Sequence, residues 1–473
     1  MKTNIYKLKT SGKLFLSLTL ILFTIVSCSE SFLEIDPQQD VSMSEALTTE
    51  SDFATAIIGC YDGLQDRSSY GKFFIAVADV MSDDVKAGLV TNRIYDWHSY
   101  SGSSADFTDL ADDIWANYYR IIDRANRILE AGSGLDVDEF YGQAYAFRAL
   151  AHFDLVRIYG QHYTYSDDAS HLGVPIVTAV DVLAEPARNT VAEVYAQVIS
   201  DFETALTLIG DDANSFYFSQ NVVKALLSRV YLYKEDWENA EAMANEVIES
   251  GDYSLVEGEN YSSIFSGDHS SETIFEVDMT VVDNLGAAGL AGNYVINGYN
   301  EFLPTTDLMN AYEDGDVRKE NNFLYDSTLG GGLYGNYRAD KFKDILGYEN
   351  TPIIRLSELY LIRAEAAYHL NTPVFIAEAQ ADVTTIRKRG LSTADAVTST
   401  GQELLEEILL ERRRELCYEG HRLWDLTRNK LGVYRDDCTT TACSIDYPND
   451  GFILAIGEDE MEVNENMIQN SGY

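Results

Sequence analysis

Apolar residues recur every three or four positions through much of the chain, the pattern of helices that bury one face. It predicts helices over 51–65, 109–132, 139–159, 190–209, 221–234 and 237–249, and again over 353–370, 374–389 and 402–428. Thr190 and Glu193 stand at capping-box spacing. Between about 253 and 350, and beyond about 429, the period is lost. Gly, Asn, Asp, Ser and Tyr dominate there, with short β-like runs such as 273–277, so these stretches read as loops with a few short strands. Leu227, Ser228, Tyr231, Trp237, Ala240, Ala244 and Val247 fall on the small–large–aromatic–small spacing of a tetratricopeptide unit. A second unit pairs the helix of Ala364 and Ala367 with that of Ala379, Val383 and Ile386, and a third joins the helix around 144–155 to the one after Thr190. The fold expected is mainly α. Tetratricopeptide-like hairpins, over about 51–250 and 353–428, pack against a loop-rich half, over about 253–350 and 429–473.

The first residues follow another pattern. Lys2, Lys7, Lys9 and Lys13 precede an uncharged, mostly apolar run over 14–26. A membrane-spanning helix needs about 20 apolar residues, so this run fits the core of a secretory signal. It ends in Ile25-Val26-Ser27-Cys28, which resembles a bacterial lipobox, in which the chain is cut before the cysteine and the thiol is lipidated. Residues 1–27 are therefore expected to be a signal peptide, with 28–473 a single domain anchored to a membrane through Cys28 rather than spanning it.

Charge narrows the partners. The chain has 34 basic and 77 acidic residues, and the signal holds four of the basic ones, so the expected mature chain carries 30 against 77, a net charge of −47. Such a surface repels phosphate backbones and argues against nucleic-acid binding. Hydrophobic residues make up 46% of the chain, enough for a folded core. Pro, with only 7 residues, suits a helical chain, whereas the 31 Tyr suit either core or binding surface. Beyond Cys28, Cys60 and Cys417 sit in helical patterns and read as buried free thiols. Cys438 and Cys443 flank a short polar segment, where an oxidising compartment would permit a local disulfide.

Catalytic signatures do not survive their context. Gly330, Gly332 and Gly335 match G-x-G-x-x-G, but no strand is predicted before them and no helix after them. There is no Walker motif, no H-E-x-x-H and no G-x-S-x-G. His152 and His421 read as structural, and Asp314 and Asp316 as a turn rather than a calcium loop. No cofactor or metal is expected. A carboxylate dyad of the glycosidase kind cannot be singled out among so many acids.

Several separated segments, in order, resemble the SusD/RagB family of outer-membrane nutrient-binding lipoproteins. They are Gln143 to Leu150 running on to Ile158-Tyr159-Gly160, then Gly173-Val174-Pro175, Arg188-Asn189-Thr190 and Asp314-Gly315-Asp316-Val317-Arg318. Ile354-Arg355-Leu356, Arg363-Ala364-Glu365-Ala366 and Glu411-Arg412-Arg413-Arg414-Glu415-Leu416 follow, and the most specific is Glu419-Gly420-His421-Arg422-Leu423-Trp424-Asp425-Leu426. Gly457, Glu465 and Ser471 depart from the pattern, standing where the family often has proline, which leaves the path of the C-terminal tail open. The resemblance implies a cell-surface lipoprotein on the outer membrane, not an enzyme. It would bind a nutrient, foremost an oligo- or polysaccharide, and pass it to a SusC-like TonB-dependent β-barrel transporter. The alternatives are the same scaffold binding peptides or another nutrient, and an α-helical glycoside-processing enzyme. The charged run 411–415 is read as structural, fixing how its helix docks.

A sugar site needs exposed rings for C–H faces and planar polar groups for hydroxyls. Two loop stretches supply both: Asn92, Arg93, Tyr95, Trp97, His98 and Tyr100, and Tyr294, Asn297, Tyr299, Asn300 and Phe302. Tyr325, Tyr334 and Tyr337 form a third group. Trp97, placed among polar residues and carrying the largest ring, is the foremost candidate.

Overall fold

The structure is a computed structural model and describes residues 46–88, 94–102, 105–132, 134–211, 214–266, 269–294, 298–329 and 331–473. Cys28 and the expected signal segment lie outside the described residues. In chain order the elements are α1 (Glu50–Gln65), α2 (Phe73–Val80), β1 (Val85–Ala87), α3 (Tyr95–His98), α4 (Ala105–Glu130), α5 (Asp138–Tyr159), α6 (Val191–Leu208), α7 (Gln220–Lys234) and α8 (Trp237–Ser250). Then come β2 (Thr273–Val277), β3 (Phe302–Pro304), α9 (Thr306–Asn310), α10 (Val317–Asn322), β4 (Phe323–Tyr325), β5 (Tyr337–Ala339) and β6 (Thr351–Arg355). The last are α11 (Leu356–Leu370), α12 (Pro373–Gly390), α13 (Gln402–Leu416), α14 (Arg422–Arg428), β7 (Val433–Tyr434), β8 (Ser444–Ile445) and α15 (Glu458–Val463).

The fold is mainly helical. The three expected pairs form as α5 with α6, α7 with α8 and α11 with α12; α8 also packs on α11, and α11 on α13. Ala240, Ala244, Ala364, Ala367 and Ala379 are fully buried where these helices meet, and their small size permits the close approach. Thr190 and Glu193 form the expected capping box at the start of α6. Among the described residues the strands form four two-stranded antiparallel pairs, β1–β3, β2–β6, β4–β5 and β7–β8, in which β1 comes from the stretch between α2 and α3.

Three segments differ from the pattern reading. The helix expected from 353 begins only at Leu356, because Thr351–Arg355 is a fully buried strand that pairs with β2. The helix expected over 402–428 breaks between Leu416 and Arg422, where Tyr418 and Gly420 take φ of 65° and 77°. The break is held from outside: Lys341 Nζ donates to the carbonyls of Glu415 and Cys417 at 2.9 and 3.0 Å, and the Gly420 amide donates to Asp79 at 3.2 Å. Finally, α2 has all eight residues buried and so shows no amphipathic period.

The charged run is structural, as read. Arg318 meets Asp316 at 2.8 Å, Glu411 at 2.6 Å and Glu415 at 3.0 Å. Arg355 meets Glu272 at 2.7 Å, Glu415 at 2.5 Å and Glu419 at 2.7 Å, while Arg389 bridges Glu272 and Glu415. Arg413 reaches across to Asp84 at 2.7 Å and Asp307 at 2.6 Å, tying α13 to the loop-rich half. Cys60 and Cys417 are buried free thiols, and Cys438 is bridged to Cys443 with Cα atoms 5.3 Å apart. His152 is satisfied at both nitrogens, by the Arg148 carbonyl and the Val177 amide. Gly332 and Gly335 lie between β4 and β5 at positive φ, with no phosphate-binding helix after them; Gly330 lies outside the described residues. The tail is pinned by Arg188, which donates to the Ile468 carbonyl at 3.0 Å and to Asn470 at 2.8 Å. Among the described residues no helix is long and apolar enough to cross a membrane.

Candidate ligand-binding face

The strands of the loop-rich half decide which rings reach solvent. In the β4–β5 pair Tyr325 stands directly opposite Tyr337. Their rings meet edge to face, with centroids 5.5 Å apart and planes at 82°, the preferred aromatic geometry for a cross-strand pair. Both are exposed, at 58% and 41%, while Phe323, Arg338 and Ala339 in the same strands are buried. β5 packs on β3, which pairs with β1. Just ahead of β3, Tyr299 is 45% exposed, with Lys72 Nζ 4.9 Å from its ring centroid.

Behind Tyr299 the wall is polar. Burial pushes the Lys72 ammonium down to about 8, against the pull of Glu301. Burial likewise pushes the Glu301 carboxyl up to about 7, against the pull of Lys72. The two carboxylate oxygens of Glu301, the side-chain amide of Asn293 and Oδ1 of Asn300 find no hydrogen-bond partner among the described residues. An unsatisfied buried polar group costs about 1–3 kcal/mol, so such a cluster is uncommon away from functional sites. The loop is nonetheless well fixed. Tyr299 N–H donates to the Gly292 carbonyl at 2.6 Å, Glu301 N–H to the Asn293 carbonyl at 2.9 Å and Gly88 N–H to the Glu301 carbonyl at 2.6 Å.

Of the residues expected from sequence, Tyr299 is exposed on this face, and Tyr325 and Tyr337 share the loop-rich half with it. Tyr334 is half-buried. Trp97 is not a surface ring: it is fully buried and meets Phe73 edge to face at 5.8 Å. The single turn α3 folds onto α2, so polar neighbours that look exposed in sequence flank a ring that points into the core. His98 is also buried; its Nδ1 lies 2.8 Å from the Val80 carbonyl and burial pushes its imidazole down to about 3. Tyr294 is buried against Tyr418, with its hydroxyl donating to Asp79 at 3.2 Å. Phe302 is buried in β3. Tyr95 and Tyr100 are half-buried, the Tyr100 hydroxyl donating to the Met81 carbonyl at 2.5 Å. Asn92, Arg93 and Asn297 lie outside the described residues. Lys72 and Glu301 were not foreseen. They sit far apart in sequence and carry no motif, and only their shared burial beside Tyr299 singles them out.

Comparison with known proteins agrees with this architecture. Residues 31–232 match a family model described as starch-binding associating with outer membrane, and residues 327–473 match the SusD family model. A Bacteroides vulgatus protein of known crystal structure superposes with a TM-score of 0.81 at 31% identity, over 90% of this chain and 99% of that one. A SusD superfamily protein from Bacteroides thetaiotaomicron also gives 0.81, at 28% identity, over 89% and 99%. A SusD-like protein of Formosa agariphila is 24% identical over 88% of this chain and 91% of its own. The starch-binding protein SusD of Bacteroides thetaiotaomicron is 34% identical over a shorter stretch, 29% of this chain and 25% of its own. With the two family models matching both ends of the sequence and near-complete superposition on a relative at 31% identity, the chain belongs to the SusD/RagB family.

Proposed function

We propose that this protein binds an oligo- or polysaccharide at the cell surface, with Tyr299, Tyr325 and Tyr337 as the stacking rings, and delivers it to a SusC-like TonB-dependent transporter. The observation that carries this reading is the exposure of Tyr325 and Tyr337, paired edge to face across β4 and β5, together with the exposed Tyr299 just ahead of β3. Aromatic faces accept the C–H faces of sugar rings, and a rigid frame reduces the ordering needed on binding. The starch-binding character of its relatives supports the ligand class. No catalytic pair is needed for this role, and the reading is of a binding protein rather than an enzyme. Residues 28–473 would act as one domain, held at the outer membrane by lipid on Cys28.

Each stacking ring should contribute on the order of 1 kcal/mol. Replacing Tyr299, Tyr325 and Tyr337 together by Ala should therefore weaken glycan binding on the order of 100-fold. The melting temperature should stay near that of the parent, because the rings are exposed. The measurement is titration against a panel of soluble starch and other glycans, with a peptide mixture alongside. Full glycan affinity in the triple variant would remove these rings from the site, and retention of peptides in place of glycans would change the ligand class.

The anchor is tested separately. Cys28→Ser should move the protein from the membrane fraction to the soluble fraction, whereas mild detergent extraction of the parent should carry a large β-barrel protein with it. Firm membrane attachment of Cys28→Ser would refute the anchor, and recovery of the parent alone from its native cells would count against the transporter.

A further inference from the structure

The exposed ring of Tyr299 has a buried cation at its back. Lys72 is only 6% exposed, and its Nζ lies 4.9 Å from the Tyr299 ring centroid. The ring face it covers is closed to solvent, so the exposure of Tyr299 belongs to the opposite face and the edge. The ammonium also meets the Phe73 ring, at 5.4 Å from its centroid. Among the described residues it has no hydrogen bond and no ion pair.

Backbone contacts hold both partners in place. Lys72 N–H donates to the Ser69 carbonyl at 3.2 Å, and the Ala76 amide donates to the Lys72 carbonyl at 2.9 Å, which fixes Lys72 where the chain enters α2. Tyr299 is held by the Gly292 carbonyl, which comes this close because residue 298 is glycine: a Cβ on Gly298 would overlap that oxygen. Glu301, two residues beyond Tyr299, is 2% exposed, and neither of its carboxylate oxygens is hydrogen-bonded among the described residues. Burying an ammonium without a bonded partner costs stability. What offsets that cost here is a desolvated cation–π contact, the strongest kind, with a ring whose other face is free.

We propose that Lys72 is a positioning residue for glycan binding: its ammonium, with Glu301 as counter-charge, holds the Tyr299 ring so that the free face meets the sugar. This rests on the stacking role of Tyr299, and Lys72 acts through that ring without touching the ligand. The hold lasts while the ammonium is charged. Two charged groups face it: Glu301, which favours the charged form, and Arg67, which opposes it and is itself paired with Asp113 at 3.0 Å. Burial outweighs both and brings loss of the proton down to about 8. The ammonium is therefore present below that value and lost above it, so binding weakens on the alkaline side. A neutral glycan has no group that titrates there, and the change belongs to the protein.

The test uses the full chain and soluble starch. Between about pH 6.5 and about pH 9 the affinity of the parent should fall roughly fivefold, the scale of one desolvated cation–π contact. Lys72→Met keeps the apolar stem and should bind weakly at both pH values, with a melting temperature no lower than that of the parent. Lys72→Arg carries a cation that does not deprotonate in this range and should bind equally at both. Glu301→Gln removes the counter-charge and should move the fall to lower pH. A second reading needs no ligand: in NMR of isotope-labelled tyrosine rings, the Tyr299 signal, identified by its absence in Tyr299→Ala, should titrate with a midpoint of about 8 in the parent and not in Lys72→Met. Parent-like affinity in Lys72→Met while Tyr299→Ala loses binding, a marked drop in the melting temperature of Lys72→Met, or a Tyr299 signal that does not titrate would each overturn the proposal and leave the stacking role standing. Full binding by Tyr299→Ala, or no starch binding by the parent, would overturn both.

Discussion

Glu415→Gln should destabilise the protein by about 3–5 kcal/mol, the usual penalty for removing one partner from a buried ionic cluster. Glu415 is fully buried and faces three guanidiniums, those of Arg318, Arg355 and Arg389. Glutamine keeps the shape but removes the negative charge, leaving three cations to share Glu272, Glu411, Glu419 and Asp316. Burial alone would raise the Glu415 carboxyl, but Arg389, Arg355 and Arg318 together outweigh it and hold the group well below the usual carboxylate range. The sign follows. A carboxyl depressed in the folded state adds stability that is complete above its unfolded pKa, about 4.3, and is lost as pH falls through the folded value. Urea midpoints measured from neutral pH downward should show a large gap between parent and variant that narrows only on strong acidification. A variant within about 1 kcal/mol of the parent at neutral pH, well under that penalty, would mean that the cluster closes without this charge.

Trp97→Ala should be nearly as severe, at about 3–5 kcal/mol, the range for emptying a buried aromatic site. The indole is fully buried and packs edge-on against Phe73 of α2. Its loss opens a cavity at the junction of α2, β1 and α3. The folded fraction should still bind glycan with near-parent affinity. Loss of binding with unchanged melting would overturn the burial of Trp97 and return its ring to the ligand surface.

The sequence by itself determined the helical half. Helix formation and the pairing of neighbouring helices depend on residues three to four apart and on adjacent segments, so local periodicity carries that information. The α7–α8 unit, with Tyr231, Ala240 and Ala244, and the capping box at Thr190 were legible for this reason. The charged run 411–415 was legible as structural, but its partners were not: Arg318 and Arg355 arrive at Glu415 from distant segments.

Tertiary structure decided the rest. α2 is buried on every side and has no polar face to reveal its period, and β6 exists because Thr351–Arg355 meets β2, Thr273–Val277, from a distant part of the chain. The helix over 402–428 breaks because Lys341 and Asp79, from elsewhere in the chain, take up the freed backbone groups around Tyr418 and Gly420. Candidate ligand rings were the hardest to sort. In irregular segments the sequence shows that Trp97, Tyr294, Tyr299 and Tyr325 are aromatic, but not which way each faces. Pairing of β1 with β3 and β4 with β5, together with the fold of α3 onto α2, sends Trp97 and Tyr294 inward and leaves Tyr299 and Tyr325 outside. Burial in a loop is set by contacts distant in sequence, and no local period records them.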